Sequence, residues 1–144
     1  MKQKILFLLA ILFLSTATHA RDTPHHFSIQ EALDSVAYEG RLDSNIKLYF
    51  GSKGPKNISK NRGEFTTNRK TNAFGKKDQT ACEWALLSAL LVLQQRAVAE
   101  GGNAVINIHG FYKGEKYSSD TLYECHTGAI MAGITLKGTV VTID

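Results

Sequence analysis

The sequence predicts an α+β domain in which a small, mostly antiparallel sheet packs against one long buried helix, with a shorter helix ahead of it. Three observations predict it. The segment Trp84–Leu93 is apolar at every position except Ser88 and lies between helix start and stop signals. A segment of alternating apolar and polar residues stands before it, and strand-forming segments follow it. The resulting order of helix, strand, loop, strand, helix and three strands gives a layered sheet and helix rather than repeated parallel units.

The elements follow from local patterns. Lys2 and Lys4 precede the apolar run Ile5–Leu14, which gives way to Ser15, Thr16, Ala17, Thr18, His19 and Ala20. A basic start, an apolar centre and a small-residue cleavage site predict a secretory signal peptide over residues 1–20. The run is shorter than the roughly 20 apolar residues that cross a bilayer. Thr18 and Ala20 occupy the −3 and −1 positions of the expected cut, and no cysteine follows the run to accept lipid. The expected product is therefore one globular domain over residues 21–144, periplasmic or secreted, with no transmembrane segment after cleavage.

Within that domain a polar leader precedes Ser28-Ile-Gln-Glu31, which has capping-box spacing and predicts a short helix over about 29–37. Asn45–Gly51 alternates Ile46, Leu48 and Phe50 with Lys47 and Tyr49, the pattern of a half-buried strand. Ser52–Gly63 has loop composition, and a second strand is expected within Glu64–Phe74. Thr80-Ala-Cys-Glu83 and the Gly101-Gly102 pair bound the long helix at about 81–100, with Gln94, Gln95, Arg96 and Glu100 marking an end that emerges into solvent. Asn103–Tyr112 predicts a strand, Lys113–Asp120 a loop, Tyr123–Leu136 one long or bent strand and Thr139–Ile143 a terminal strand. Because a single sheet covers only one side of a helix that is apolar all round, a homodimer stays open.

The chain carries 17 Lys and Arg against 13 Asp and Glu, and loss of Lys2 and Lys4 lowers its net charge from +4 to about +2. The positive charge is concentrated in one stretch: Lys47, Lys53, Lys56, Lys60, Arg62, Arg69, Lys70, Lys76 and Lys77, interrupted by the single acid Glu64. Interleaved with Tyr49, Phe50, Phe65 and Phe74, this is the composition of a polyanion-binding surface. Export removes it from cellular nucleic acid, so nucleic acid is not an expected partner. Anionic envelope components such as lipopolysaccharide, phospholipid head groups or acidic glycans, or an envelope protein, are.

Cys82 and Cys125 are the only cysteines. In an oxidising compartment they predict one disulfide, closing a loop of about 43 residues. The rival reading places Cys82 at a helix N-terminus as an activated nucleophile with His109 or His126 as base, a cysteine-dependent hydrolase. A third reading takes His25, His26, His109 and His126 as ligands of zinc or copper in a periplasmic metal-binding protein, although the spacing contains no Cys-x-x-Cys or His-x-x-x-His. There is no phosphate loop, no Gly-x-Ser-x-Gly elbow and no His-Glu-x-x-His helix. No catalytic residue and no cofactor is therefore assigned, and the expected function is non-enzymatic binding.

The linked blocks Lys70-Thr-Asn-Ala-Phe-Gly-Lys-Lys-Asp-Gln-Thr-Ala-Cys82, Leu86-Leu-Ser-Ala-Leu-Leu91, Leu93-Gln-Gln-Arg-Ala97, Gly102-Asn-Ala-Val105, Tyr123-Glu-Cys-His-Thr-Gly-Ala129 and Met131-Ala-Gly133 resemble a family of small exported bacterial proteins often labelled "excinuclease ATPase subunit". The resemblance covers about Ile29 to Val141. An excision-repair ATPase needs phosphate loops, which this chain lacks. More distantly, the helix, the Gly-Asn-Ala-Val turn and the later cysteine strand are similar to the globular domain of the Rcs stress-sensing outer-membrane lipoprotein and to YbjQ-like domains. That similarity implies an α+β fold and binding rather than catalysis.

Overall fold

In the computed structural model, which describes residues 20–35 and 38–144, the elements run β1 (Thr23–Ser28), α1 (Ile29–Asp34), β2 (Lys47–Phe50), β3 (Ile58–Asn72), α2 (Asp78–Ala99), β4 (Ala104–Tyr112), β5 (Glu115–Tyr117), β6 (Leu122–Thr127) and β7 (Met131–Ile143). The fold is α+β, as expected, with one long helix against a mostly antiparallel sheet.

β7 is the organising strand. One edge pairs with β3 along its whole length, from Asn72↔Met131 to Ile58↔Ile143. The other edge is shared: its start takes β6 through His126↔Gly133, and its later part takes β4 from Gly110↔Leu136 to Ala104↔Val141. β1 lies on β6, β5 on the end of β4, and β2 runs beside β4 as the one parallel pair among the described strands. Alternation along β7 turns Ala132, Ile134, Leu136 and Val140 inward, all buried, against Leu86, Leu90 and Leu93 of α2 and Val105 and Ile108 of β4. Truncating one of those leucines to alanine costs about 2–5 kcal/mol.

α2 ends where the Gly-Gly pair predicts. The Gly102 amide donates to Ala97 O at 2.8 Å and the Gly101 amide to Val98 O at 3.0 Å, with Gly101 left-handed at φ +74, the Schellman pattern. Its start differs from the expected Ala81. The helix begins at Asp78 after Lys77, which makes no side-chain cap bond, and Thr80 lies inside the first turn. Asp78 there carries negative charge at the positive end of the helix dipole.

The apolar helix is covered on its second side by its own chain. Tyr38 is buried and its hydroxyl donates to Glu83 O at 3.0 Å, while Arg41 lies over the Trp84 ring at 5.2 Å. Gln94, expected near the solvent-facing end, is instead 3% exposed. Its Nε2 donates to Asp43 O at 2.9 Å and Ile46 O at 3.0 Å, and its Oε1 accepts from the Asp43 amide at 2.9 Å. One amide side chain thus replaces the bonds that an irregular segment cannot make for itself.

Other boundaries moved for identifiable reasons. α1 has the expected Ser28 cap, whose Oγ accepts from the Glu31 amide at 3.2 Å, but it ends at Asp34 because Ser35 is extended (ψ 154). Val36 and Ala37, in the expected helix, lie outside the described residues. The polar leader forms β1, and β3 starts at Ile58, well inside the expected loop. Both are largely polar strands, specified by their partners β6 and β7 rather than by apolar alternation of their own. The expected strand Tyr123–Leu136 is two, broken at Gly128–Ile130, and the expected terminal strand is the continuation of β7. The short β5 occupies part of the expected Lys113–Asp120 loop.

Candidate functional site

Cys82, near the start of α2, and Cys125, on the inward face of β6, are both fully buried and form a disulfide with their Cα atoms 5.9 Å apart. Neither cysteine is free. The nucleophile reading of Cys82 therefore has no thiolate to act through.

Because side chains alternate along β6, Cys125 faces the helix while Glu124 and His126 face the other way. Asp22, just ahead of β1, meets His126 there. Its Oδ1 accepts from His126 Nδ1 at 3.0 Å, and its Oδ2 accepts from the Tyr112 hydroxyl at 2.8 Å and from Lys113 Nζ at 3.0 Å. The Tyr112 hydroxyl, followed by the Lys113 ammonium, holds the Asp22 carboxyl below its ordinary range. The same contact raises Lys113, while partial burial, with Asp22 second, raises Tyr112. The Tyr112 and His126 rings stack with centroids 3.5 Å apart and planes 17° apart.

An aspartate orienting a histidine resembles a general-base pair. Here the second ring nitrogen, Nε2, is closed to solvent, without a hydrogen-bond partner. Glu124 Oε1 lies 3.3 Å from it, inside ion-pair range but out of hydrogen-bonding geometry. Glu124 also lies 3.4 Å from His26 Nε2, whose ring tilts over Tyr117. His126 is thus tied into a polar network with Asp22, Tyr112 and Glu124, and its Nε2 is closed off from solvent.

Next to this network opens a cleft of about 470 Å³, lined by Arg21, Lys70, Lys113, His126 and Met131 among others. The carboxylates near it are already engaged, Asp22 by Lys113 at 3.0 Å and Asp78 by Arg21 at 2.6 Å. Among the described residues, Arg69, Lys70, Lys76 and Lys77 form no ion pair.

The basic stretch read from the sequence does not stay together. Lys47 is on β2, its ammonium donating to Ser44 O at 2.9 Å, and Lys53 lies beside Asp120. Lys56 is in the loop before β3, and Lys60 and Arg62 are at the start of that strand, Arg62 Nε donating to Thr142 Oγ1 at 3.1 Å. Arg69 and Lys70 lie near its far end, and Lys76 and Lys77 in the turn into α2. Of the four histidines, His26 and His126 converge on Glu124, while the other two lie elsewhere. His25 Nε2 meets Thr127 Oγ1 at 2.9 Å and Asp78 Oδ2 at 3.2 Å on the helix side, whereas His26 faces Glu124 on the opposite side. His109 is buried and donates from Nδ1 to Asn107 O at 2.7 Å. No group of three or more His, Cys, Asp or Glu side chains among the described residues is placed to hold a metal ion.

Compared with known proteins, the chain matches no family model, no curated protein and no solved structure. Sequence reading did not single out Arg21, Asp22, Tyr112, Lys113 or Glu124. They converge only through the β1–β6 pairing and the β4–β5 hairpin. The available signal was the alternation Glu124-Cys125-His126, which sets a carboxylate and an imidazole on the face away from the cysteine.

Proposed function

We propose that the protein is an exported, non-enzymatic binding protein, stapled by the Cys82–Cys125 bridge, that takes an anionic component of the cell envelope at the end of the molecule carrying Lys70, Lys76 and Lys77. The observation that carries this reading is the charge balance at the cleft. Among the described residues Lys70, which lines the cleft, and its sequence neighbours Arg69, Lys76 and Lys77 form no ion pair, while Asp22 and Asp78 are already neutralised by Lys113 and Arg21. An anion arriving there meets cations whose attraction is not spent on protein carboxylates. The resemblance to exported envelope proteins supports binding rather than catalysis, and the inward-facing His126 Nε2 supports it independently.

The test is retention of the exported, processed chain on immobilised heparin, a soluble polyanion. The wild type is retained at low salt and released as ionic strength rises, because screening shortens the reach of exposed charges. Lys70→Gln/Lys76→Gln/Lys77→Gln elutes at clearly lower salt, whereas Lys47→Gln/Lys53→Gln, on β2 and beside Asp120, elutes close to wild type. Equal elution of the two variants, or wild-type protein in the flow-through, rejects the reading.

A further inference from the structure

The same end of the molecule carries exposed apolar side chains that the proposed anion binding does not use. Phe74 is 74% exposed, Ile130 59% and Met131 40%. They belong to two turns tied together: the Ala73 amide donates to Ile130 O at 2.8 Å, and Asn72 pairs with Met131 at the end of the β3–β7 ladder. Arg69, Lys70, Lys76 and Lys77 flank these tips in sequence. We infer that this end docks on an anionic phospholipid bilayer, with Phe74, Ile130 and Met131 entering the head-group region and the four cations meeting lipid phosphates. The inference rests on the anion-binding reading and commits it to a lipid surface.

Two features favour a bilayer over another occupant. Three side chains on two narrow turns fall well short of the roughly 800 Å² that each partner brings to a standard protein interface. Shallow insertion of a few apolar groups combined with electrostatic attraction is, by contrast, how peripheral proteins hold anionic membranes. Secondly, much of the backbone at the tips is internally satisfied. The Phe74 amide donates to Asn72 Oδ1 at 2.9 Å, the Lys76 amide to Ala73 O at 3.1 Å and the Gly128 amide to Met131 O at 2.7 Å. Those groups stay paired when they leave water.

Co-sedimentation of the exported, processed chain with vesicles tests this. The wild type is expected to sediment with an equal mixture of phosphatidylcholine and phosphatidylglycerol and to stay in solution with phosphatidylcholine alone. Phe74→Ser/Ile130→Ser lowers the apparent affinity about tenfold or more at an unchanged melting temperature. Lys76→Gln/Lys77→Gln lowers it by about tenfold or more, each cation near an anionic surface being worth roughly a fivefold change. Phe74→Trp, read against the Trp84 background of wild type, shifts its emission to the blue only with the mixed vesicles. Wild-type protein left in the supernatant, a serine variant that sediments like wild type, or unshifted Phe74→Trp emission overturns the bilayer inference. So does a dimer in sedimentation velocity that the serine variant abolishes, since a second copy would then cover the tips. In each case retention on heparin decides whether the anion-binding reading stands without it.

Discussion

Removing the Cys82–Cys125 bridge tests how far this small domain depends on a covalent constraint. The bridge spans 43 residues of sequence, from the start of α2 to β6. Closing a loop of that length removes chain entropy from the unfolded ensemble worth about 4 kcal/mol at room temperature. With an unfolding entropy of about 2.1 cal/mol/K per residue over roughly 120 residues, that loss lowers the melting temperature by about 15 °C. The assay compares wild type with Cys82→Ala/Cys125→Ala by circular dichroism melting and urea titration. Intact mass and iodoacetamide labelling first establish that the native protein carries no free thiol. The variant also shows a steeper denaturant dependence, because its unfolded chain is no longer cross-linked and exposes more surface. A stability loss under about 1 kcal/mol with an unchanged slope refutes the reasoning. Alanine is chosen over serine because both positions are fully buried, and a hydroxyl there would bring its own desolvation cost.

Further outcomes follow from single contacts. Gln94→Leu keeps the volume but strands the Asp43 amide and the Ile46 carbonyl, the Asp43 carbonyl keeping the Ile46 amide at 3.2 Å, and costs about 2–4 kcal/mol in urea unfolding; a loss below about 0.5 kcal/mol shows that water replaces the side chain. Gly138→Ala places a Cβ 2.7 Å from Val105 Cγ1 and 3.3 Å from Ile108 Cγ1, so it destabilises by about 1–3 kcal/mol; thermal melting equal to wild type would show that β4 and β7 separate freely. Asp22 has a folded-state pKa below its ordinary 3.8, so its contribution is present above that value and is lost as pH falls through the lower folded value. Asp22→Asn should therefore melt below wild type at neutral pH and converge with it in strong acid; parallel curves across that range contradict the assignment.

The parts of the fold that were legible are those whose specification is local. Trp84–Leu93 and Gly101-Gly102 announce α2 and its end without reference to anything distant, and the strand composition of Asn103–Tyr112 directly after the Gly-Gly turn does the same for β4. β1 and the first half of β3 were not legible. Thr23–Ser28 contains one large apolar residue, Phe27, and Ile58–Gly63 contains one, Ile58, so neither has a periodicity to detect. Their strand geometry is supplied by the backbone of β6 and β7. Gln94 shows the same limit within a helix, since a polar residue near a helix end signals solvent until the segment it bonds is known. At the candidate site, Lys70, Lys76, Lys77 and His126 were visible by residue type. Asp22 and Tyr112, 90 residues apart, meet only in the folded chain.

β3 has a consequence for how copies of this protein meet. It spans 15 residues and, among the described strands, pairs only with β7, which leaves its other edge open. An open edge of that length is a template for a neighbouring chain. Lys60, Arg62, Arg69 and Lys70 lie along it, and two copies zipped antiparallel would set like charges against one another. Arg69 and Lys70, two of the cations proposed to hold an anionic ligand, would thus also oppose pairing of copies, and neutralising them would remove both effects together. A polyanion added below saturation should make the protein associate, and an excess that coats each copy should disperse it again. Light scattering during a heparin titration would rise and then fall, whereas a flat trace would mean the edge is blocked by something other than charge.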